Sequence, residues 1–227
     1  LWIGLGAGLA RYNYATERFT RYHFPKDITP RVSAIVENKD GDIFFGTAGF
    51  GLFILQHGSD VIKPAVSFNA NSDGFFSQMF LDSYGRLYAS ANDKCFYVFN
   101  INGNKAVSHQ QIETSCGIPV AFAERDSVSL YVICQKGIMV YNRKNRKIAK
   151  ASILLPEDET IPLSSAKILH AGTLLIGTKG NGVICVGKHQ YTGVKTDFSA
   201  GQFKINNSSI NYIFEDKDNN LWLSCSN

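Results

Sequence analysis

Hydrophobic positions along the chain gather into short runs separated by polar and glycine-rich breaks, and one of these runs recurs. It appears as LWIG at Leu1–Gly4, IFFGT at Ile43–Thr47, LYASA at Leu87–Ala91, LYVIC at Leu130–Cys134, LLIGT at Leu174–Thr178 and LWLSC at Leu221–Cys225. Its second positions are Trp2, Phe44, Tyr88, Tyr131, Leu175 and Trp222, spaced by 42, 44, 43, 44 and 47 residues. Turn signals precede the run at Lys39–Asp42, Ser83–Arg86 and Lys217–Asn220. Asp, Asn and Gly there tolerate the left-handed conformations that tight hairpins need. Ahead of each turn lies another β-rich stretch, at Val32–Val36, Phe75–Leu81, Val120–Ala123 and Ile210–Phe214. After the recurring run, a Gly-rich or polar turn such as Ala48–Gly51 or Lys179–Gly182 leads to a third stretch. That third stretch is Leu52–Leu55, Phe96–Phe99, Ile138–Tyr141 or Val183–Val186. A weaker fourth one closes the unit, as at Lys63–Phe68 and Ile148–Leu154. No window of helical length carries a 3.6-residue apolar period, so the pattern predicts very little helix.

Each period of about 44 residues therefore predicts four short antiparallel strands, A to D, which is the blade of a β-propeller. The expected fold class is all-β, with about five such repeats. Their approximate bounds are 1–30, 31–73, 74–118, 119–165, 166–209 and 210–227, within one propeller domain or fragment spanning 1–227. A lone four-stranded sheet of this composition has two apolar faces, and stacking blades face to face buries them. Large residues of strand B are expected to wedge between neighbouring blades, so removing Phe44 or Trp222 is expected to cost ~3–5 kcal/mol. The chain begins in one strand B and ends in another. The two would compete for one slot in a closed five-bladed ring, so the sequence reads as a window on a longer array.

Composition narrows the function classes. The 227 residues are 44% hydrophobic, enough for a packed core, and the net charge of +4 is scattered rather than banded. That excludes an obvious nucleic-acid or membrane-surface footprint. The basic cluster Arg143–Lys147 sits between two apolar runs and reads as a solvated turn. No apolar run approaches the ~18 residues of a membrane span. The five cysteines, Cys95, Cys116, Cys134, Cys185 and Cys225, lack metal-like spacing. Cys134, Cys185 and Cys225 lie in apolar runs and are expected as buried thiols, with one disulfide left open.

The fullest units read VSAIVENKDGDIFFGT at Val32–Thr47 and INYIFEDKDNNLWLS at Ile210–Ser224; the first adds Leu1–Gly4, Gly8–Asn13, Thr16, Phe19 and Tyr22. Together they resemble the two-component regulator propeller repeat, with its Glu-Asp pair, its Leu-Trp-Ile-Gly-Thr strand and a following Gly-Leu-x-Arg-Tyr. The resemblance is degenerate in two middle units, where Gly-Thr becomes Ser90-Ala91 and Ile133-Cys134 and the Glu-Asp pair is lost. It implies a seven-bladed propeller in the periplasmic sensor half of a hybrid two-component histidine kinase. The implied ligand is an oligosaccharide, and the implied output is transcription of glycan-utilisation genes. The implied partners are a neighbouring propeller and an immunoglobulin-like domain of the same chain, and a homodimer. Kinase activity would reside outside this segment, with no nucleic acid or membrane contact by the segment itself.

No catalytic set stands out. His23, His57, His109, His170 and His189 share no ligand spacing, and there is no GxSxG, Walker or dinucleotide fingerprint. No cofactor, metal site or catalytic residue is expected. Gly4–Gly8 and Gly180–Gly182 recur with the blade period and read as B–C turns rather than phosphate cradles. Glu215, Asp216 and Asp218 read as a solvated A–B turn rather than a cation site. In a propeller the D–A and B–C loops share one end of the blades, where ligands usually bind. The D–A loops are expected at Asp27–Arg31, Asn69–Asp73, Glu157–Ser165 and Asn206–Ser209. The candidate ligand residues are therefore Arg31, Phe50, Asn71, Asp73, Phe75, Asn92, Asp93, Gln135, Lys179, Asn181 and Asn207, with Phe50 and Phe75 as aromatic platforms. Two other classes compete: a propeller lyase of the streptogramin type, which should carry His and Glu at the channel mouth, and a protein-interaction scaffold.

Overall fold

The structure is a computed structural model, and it describes residues 1–66, 74–91, 93–102, 105–153, 155, 162–187, 194–196 and 208–226. The chain divides into two compact units, Leu1–Glu113 and Thr114–Asn227. In the first unit, β1 (Trp2–Leu5), β2 (Gly8–Asn13) and β3 (Arg18–Tyr22) form a three-stranded sheet. A 3-10 turn at Pro25–Asp27 leads into the second sheet, β4 (Val32–Glu37), β5 (Ile43–Thr47), β6 (Leu52–Leu55) and β7 (Ile62–Pro64). The third sheet is β8 (Phe76–Leu81), β9 (Arg86–Ala91), β10 (Cys95–Asn102) and β11 (Lys105–Glu113).

In the second unit, β12 (Pro119–Glu124), β13 (Ser129–Cys134), β14 (Gly137–Asn142) and β15 (Lys147–Lys150) form the fourth sheet. The fifth is β16 (Leu163–Ile168), β17 (Leu174–Thr178), β18 (Val183–Val186) and β19 (Val194–Thr196), and the sixth pairs β20 (Ser209–Glu215) with β21 (Leu221–Ser226). Strands pair antiparallel in chain order throughout, as consecutive hairpins do. No helix among the described residues is long and apolar enough to cross a membrane.

Both faces of an inner strand are buried, which is why the strand reads as a continuous apolar run rather than an alternating one. Along β5, Ile43 and Phe45 pack toward Leu9, Tyr22 and Phe24, while Phe44 points the other way, toward Phe76, Leu87 and Phe99. Along β17, Leu174 and Ile176 join Ala123, Ile133 and Ile138, whereas Leu175 meets Ile210 and Ile213. Each core is thus the seam between two successive sheets of one unit.

The glycine of the Gly-Thr pair is set by that seam. A Cβ on Gly46 would lie 2.8 Å from the Cβ of Phe76, and one on Gly177 would lie 2.8 Å from the Cβ of Ile210. The first strand of the next sheet crosses at these points, and a side chain would force the sheets apart. The first strand of each of the last five sheets also carries a bulge, at its second residue in Ser33, Ser77, Val120 and Ser164 and at its third in Asn211. The extra residue turns a side chain out of the ladder. Ser33 and Ser164 use it to donate to the next sheet, at the Phe76 and Ile210 carbonyls.

Three expectations change. The first strand of the fifth repeat begins at Leu163, so the loop expected to run to Ser165 ends earlier; its polar Ser164-Ser165 centre hides it from an apolar-run search. Arg143 does not belong to a solvated turn: it is 5% exposed. Of the cysteines in apolar runs, Cys134 is buried, Cys185 is half-buried and Cys225 is exposed.

Candidate functional site

The B–C turns end at the same edge of each sheet as the segments leading into strand A, and backbone hydrogen bonds stitch the two together. In the first unit, the Gly8 N–H donates to the Pro30 carbonyl (2.9 Å), Ala48 N–H to Arg31 (3.0 Å) and Gly51 N–H to Gly74 (2.7 Å). Phe50 and Gly74 form a parallel bridge. The second unit repeats the device: Gln135 N–H donates to Ile118 (3.0 Å), Leu163 N–H to Gln135 (2.9 Å), Lys179 N–H to Pro162 (2.8 Å) and Gly182 N–H to Ser208 (3.1 Å). Two of these turns, in the second and fifth sheets, are also closed from inside. The hydroxyl and N–H of Thr47 both donate to the Gly51 carbonyl, and Thr178 does the same to Gly182. Gly51 and Gly182 hold φ of 87° and 68°, a region costly for other residues.

This scaffold brings part of the candidate set together. Arg31 is exposed, Phe50 is 52% exposed and Phe75 is half-buried, and all three stand on the stitched edge of the second and third sheets. In the second unit, Gln135 (half-buried) and Lys179 (exposed) flank Pro162–Leu163, to which both are bonded. Asn181 sits in its turn with its N–H on the Thr178 hydroxyl (3.0 Å). Asp93 is exposed in the β9–β10 turn and accepts the Lys94 N–H (2.7 Å). Asn71, Asp73, Asn92 and Asn207 lie outside the described residues. A cavity of about 390 Å³ opens instead at the opposite end of the first two sheets, lined by Trp2, Arg11, Tyr22, Glu37, His57 and Asp60 among others. The Arg11 guanidinium stands 5.5 Å from the centre of the Trp2 ring, a cation–π distance. Sequence reasoning did not point to this cavity, because its residues come from six strands and two turns of the first two sheets.

The acidic signature is structural. Asp216 Oδ1 accepts the N–H groups of Asp218 (3.0 Å) and Asn220 (2.8 Å), while Oδ2 accepts the Asn220 side-chain amide (3.0 Å) and the Trp222 indole N–H (2.9 Å). Asp82 repeats the pattern with Tyr84 N–H, Arg86 N–H and the Tyr88 hydroxyl. The residue six places before the strand-B ring therefore folds the A–B turn and anchors the ring. Where the acid is absent at this offset, Asn38 precedes Phe44 and Leu169 precedes Leu175, neither of which offers a donor, while Arg125 stacks over Tyr131 at 5.5 Å. Glu215 is also engaged, accepting the His170 N–H (2.8 Å) across the seam, with His170 Nδ1 at 3.4 Å. Among the described residues no group of three or more His, Cys, Asp or Glu is placed to hold a metal.

These bonds to the carboxylate, the indole N–H first and the Asn220 amide second, hold Asp216 down to a pKa of about 2. Since that lies below the ~3.9 of an unfolded Asp, its stabilising effect is complete above pH ~4 and is lost as pH falls toward 2. In Trp222→Phe the midpoint of an NMR carboxyl titration of Asp216 should rise toward the ordinary range. An unchanged midpoint would show that the indole bond does not form in solution.

Comparison with known proteins agrees with this architecture. The family described as "Two component regulator propeller" matches residues 204–227. No curated protein matches the chain by sequence. Among solved structures, the chain is similar to the extracellular domain of a protein described as a hybrid two component system, BT3049 of B. thetaiotaomicron. The identity is 20% and the TM-score 0.76, over 99% of this chain and 30% of that one. It is similar to PorZ, a surface component of the type-IX secretion system of Porphyromonas gingivalis, at 13% identity and TM-score 0.75, over 98% of this chain and 35% of that one. It is similar to a streptogramin B lyase at 15% identity and TM-score 0.76, over 99% of this chain and 72% of that one. The chain thus spans about a third of the first two structures, and at these identities the likeness is one of fold. With its four-stranded antiparallel sheets, the chain is a stretch of β-propeller, and its last unit, residues 204–227, matches the two-component regulator propeller repeat.

Proposed function

We propose that the segment is the ligand-sensing propeller of an extracytoplasmic sensor in a hybrid two-component system, a binding module rather than an enzyme. The observation that carries this reading is the exposed Phe50 on a turn whose backbone is bonded to Arg31 and to Gly74, the neighbour of Phe75. An aromatic face with adjacent hydrogen-bond donors on a rigid backbone is the chemistry that takes up a sugar ring. The repeat match at 204–227 and the fold shared with the extracellular domain of BT3049 support the sensor class. The ligand on this reading is an oligosaccharide, and the segment works in the periplasm, alongside a second propeller and an immunoglobulin-like domain. A dimeric receptor with its histidine kinase across the membrane would pass the signal to glycan-utilisation genes.

The lyase fold is just as similar, so the site must discriminate. His57 lies in a C–D turn and His170 in an A–B turn, at the end of the blades away from the stitched edge. Calorimetric titration with a panel of plant and host oligosaccharides should show binding that weakens about tenfold or more in Phe50→Ala. Loss of binding in Trp2→Ala with Phe50→Ala unaffected would move the site to the opposite cavity. Silence across the panel, with turnover of a cyclic depsipeptide, would replace the sensor with a lyase.

A further inference from the structure

The fourth sheet breaks the repeat where the second and fifth close their B–C turns with threonine. Its strand B ends in Cys134, in the place of Thr47 and Thr178. The turn is also tighter, with two residues, Gln135 and Lys136, between Cys134 and the Gly137 it pairs with. The Cys134 side chain meets a second thiol. Residues 114–118, which lead into β12, are pinned along this turn: Lys136 N–H donates to the Cys116 carbonyl (2.9 Å) and Gln135 N–H to Ile118 (3.0 Å). The Thr114 hydroxyl closes the segment on the Gly117 carbonyl (2.6 Å). The Cys116 and Cys134 thiols lie near enough for each to shift the other's titration, while the Cys134 thiol points toward the Val132 carbonyl (4.0 Å). Cys116 lies against the turn at Gly137, where a Cβ would be 3.5 Å from that of Cys116, an ordinary contact. The two departures from the repeat, one in the linker and one in the strand, thus stand against each other.

The pair is asymmetric. Cys116 is half-buried and can be reached, whereas Cys134 is wholly buried. The neighbouring Cys134 thiol lowers that of Cys116, aided by Lys150, and the neighbouring Cys116 together with burial raises Cys134. Cys95 belongs to the other unit, where burial raises its thiol.

We propose that Cys116 and Cys134 form a reversible disulfide, with Cys116 as the attacking thiol and Cys134 as the resolving one. The Cys116 thiolate attacks a small-molecule or protein disulfide and expels one thiol, leaving a mixed disulfide. Cys134 then gives up its proton and attacks the Cys116 sulfur, expelling the second thiol. Two chain thiols and one external disulfide become one chain S–S bond and two external thiols, so the external disulfide takes up both electrons. The bond clips the segment leading into the fourth sheet onto the turn that carries Gln135, one of the candidate ligand residues. It does not depend on the ligand being a sugar.

The test uses the chain treated with oxidised glutathione, alkylated and read by intact and peptide mass spectrometry. The expected product is about two mass units lighter, carries one peptide cross-link between Cys116 and Cys134, and reverts with dithiothreitol. Its Tm should exceed that of the reduced form by roughly 5–10 °C. Cys134→Thr, the residue found in the sister repeats, should stop at a glutathione adduct on Cys116. Cys116→Ser should leave Cys134 unmodified while folded. Independent alkylation of both thiols in the oxidised wild type, or a cross-link through Cys95, Cys185 or Cys225, would overturn the proposal.

Discussion

Glu124→Ala should lower stability by about 3 kcal/mol and Tm by roughly 6–12 °C, the cost of leaving a buried guanidinium without its counter-charge. Arg143 follows β14 and reaches back under the A–B turn of its own sheet. Its Nη2 donates to Glu124 Oε1 at 2.8 Å and its Nη1 to the Asp126 carbonyl. The Arg143 side chain is 2% exposed and that of Glu124 29%. Water therefore reaches the acid and screens the pair in part, which places the expected cost at the low end of the range for a broken buried ion pair. Arg143→Met should cost less, about 1–2 kcal/mol, because it removes the buried charge and leaves a carboxylate that can hydrate. Thermal or urea unfolding of the two single variants and the double variant gives the coupling directly. Equal small losses in both singles, with an additive double, would show that the pair contributes nothing.

Arg143 also shows where the sequence misleads. Five of the residues at 143–147 are polar or charged and four are basic, so the cluster reads as one solvated turn. The chain exposes Lys144, Asn145 and Arg146 but turns Arg143 inward, toward a Glu nineteen residues earlier. No local pattern carries that pairing. The blade architecture is legible for the opposite reason: burial on both faces leaves unbroken apolar runs, and the period repeats them. Strand bounds agree best where that burial is complete, as in β5, β6, β17 and β18. The outer strands are harder to see, because one side of them meets solvent, as in β3 and β15; the sequences of β11 and β19 carry no apolar run at all.

The candidate site was legible in position but not in role. Arg31, Phe50 and Phe75 do stand on one edge, as the loop geometry of a propeller requires. Part of their neighbourhood is occupied with holding sheets together, and the Gly-rich turns that resemble ligand cradles spend their N–H groups on the next strand's carbonyls. The same holds for the acidic motif. A sequence shows Glu215-Asp216 as two charges in a turn, whereas in three dimensions each is consumed, one by the neighbouring blade and one by its own tryptophan. At the same offset the pairs Asn38–Phe44 and Leu169–Leu175 lack both the acid and the ring donor, a coincidence to which only the hydrogen bond gives meaning.

Phe44 and Trp222 occupy the same position of the repeat, yet their removal should have different consequences in this chain. Phe44 is wholly buried and packs in the seam with Leu52, Phe76, Leu87 and Phe99. Truncation to Ala leaves a cavity between two rigid sheets that cannot collapse around it, and the expected loss is ~3–5 kcal/mol. Trp222 is 62% exposed, and its fixed contact is the bond from its indole to Asp216. The expectation of an equal cost for Trp222 therefore fails on burial: Trp222→Ala gives up one hydrogen bond and a partly covered ring, about 1 kcal/mol. Urea unfolding of the two variants should separate them, with the midpoint of Phe44→Ala falling well below that of Trp222→Ala and similar m-values if both native states stay intact. Equal midpoints would mean that the Trp222 ring is covered in solution by a contact the isolated sheet does not provide. The position in the repeat fixes which residue faces the seam, but the stability it confers depends on whether a second sheet is there to close over it.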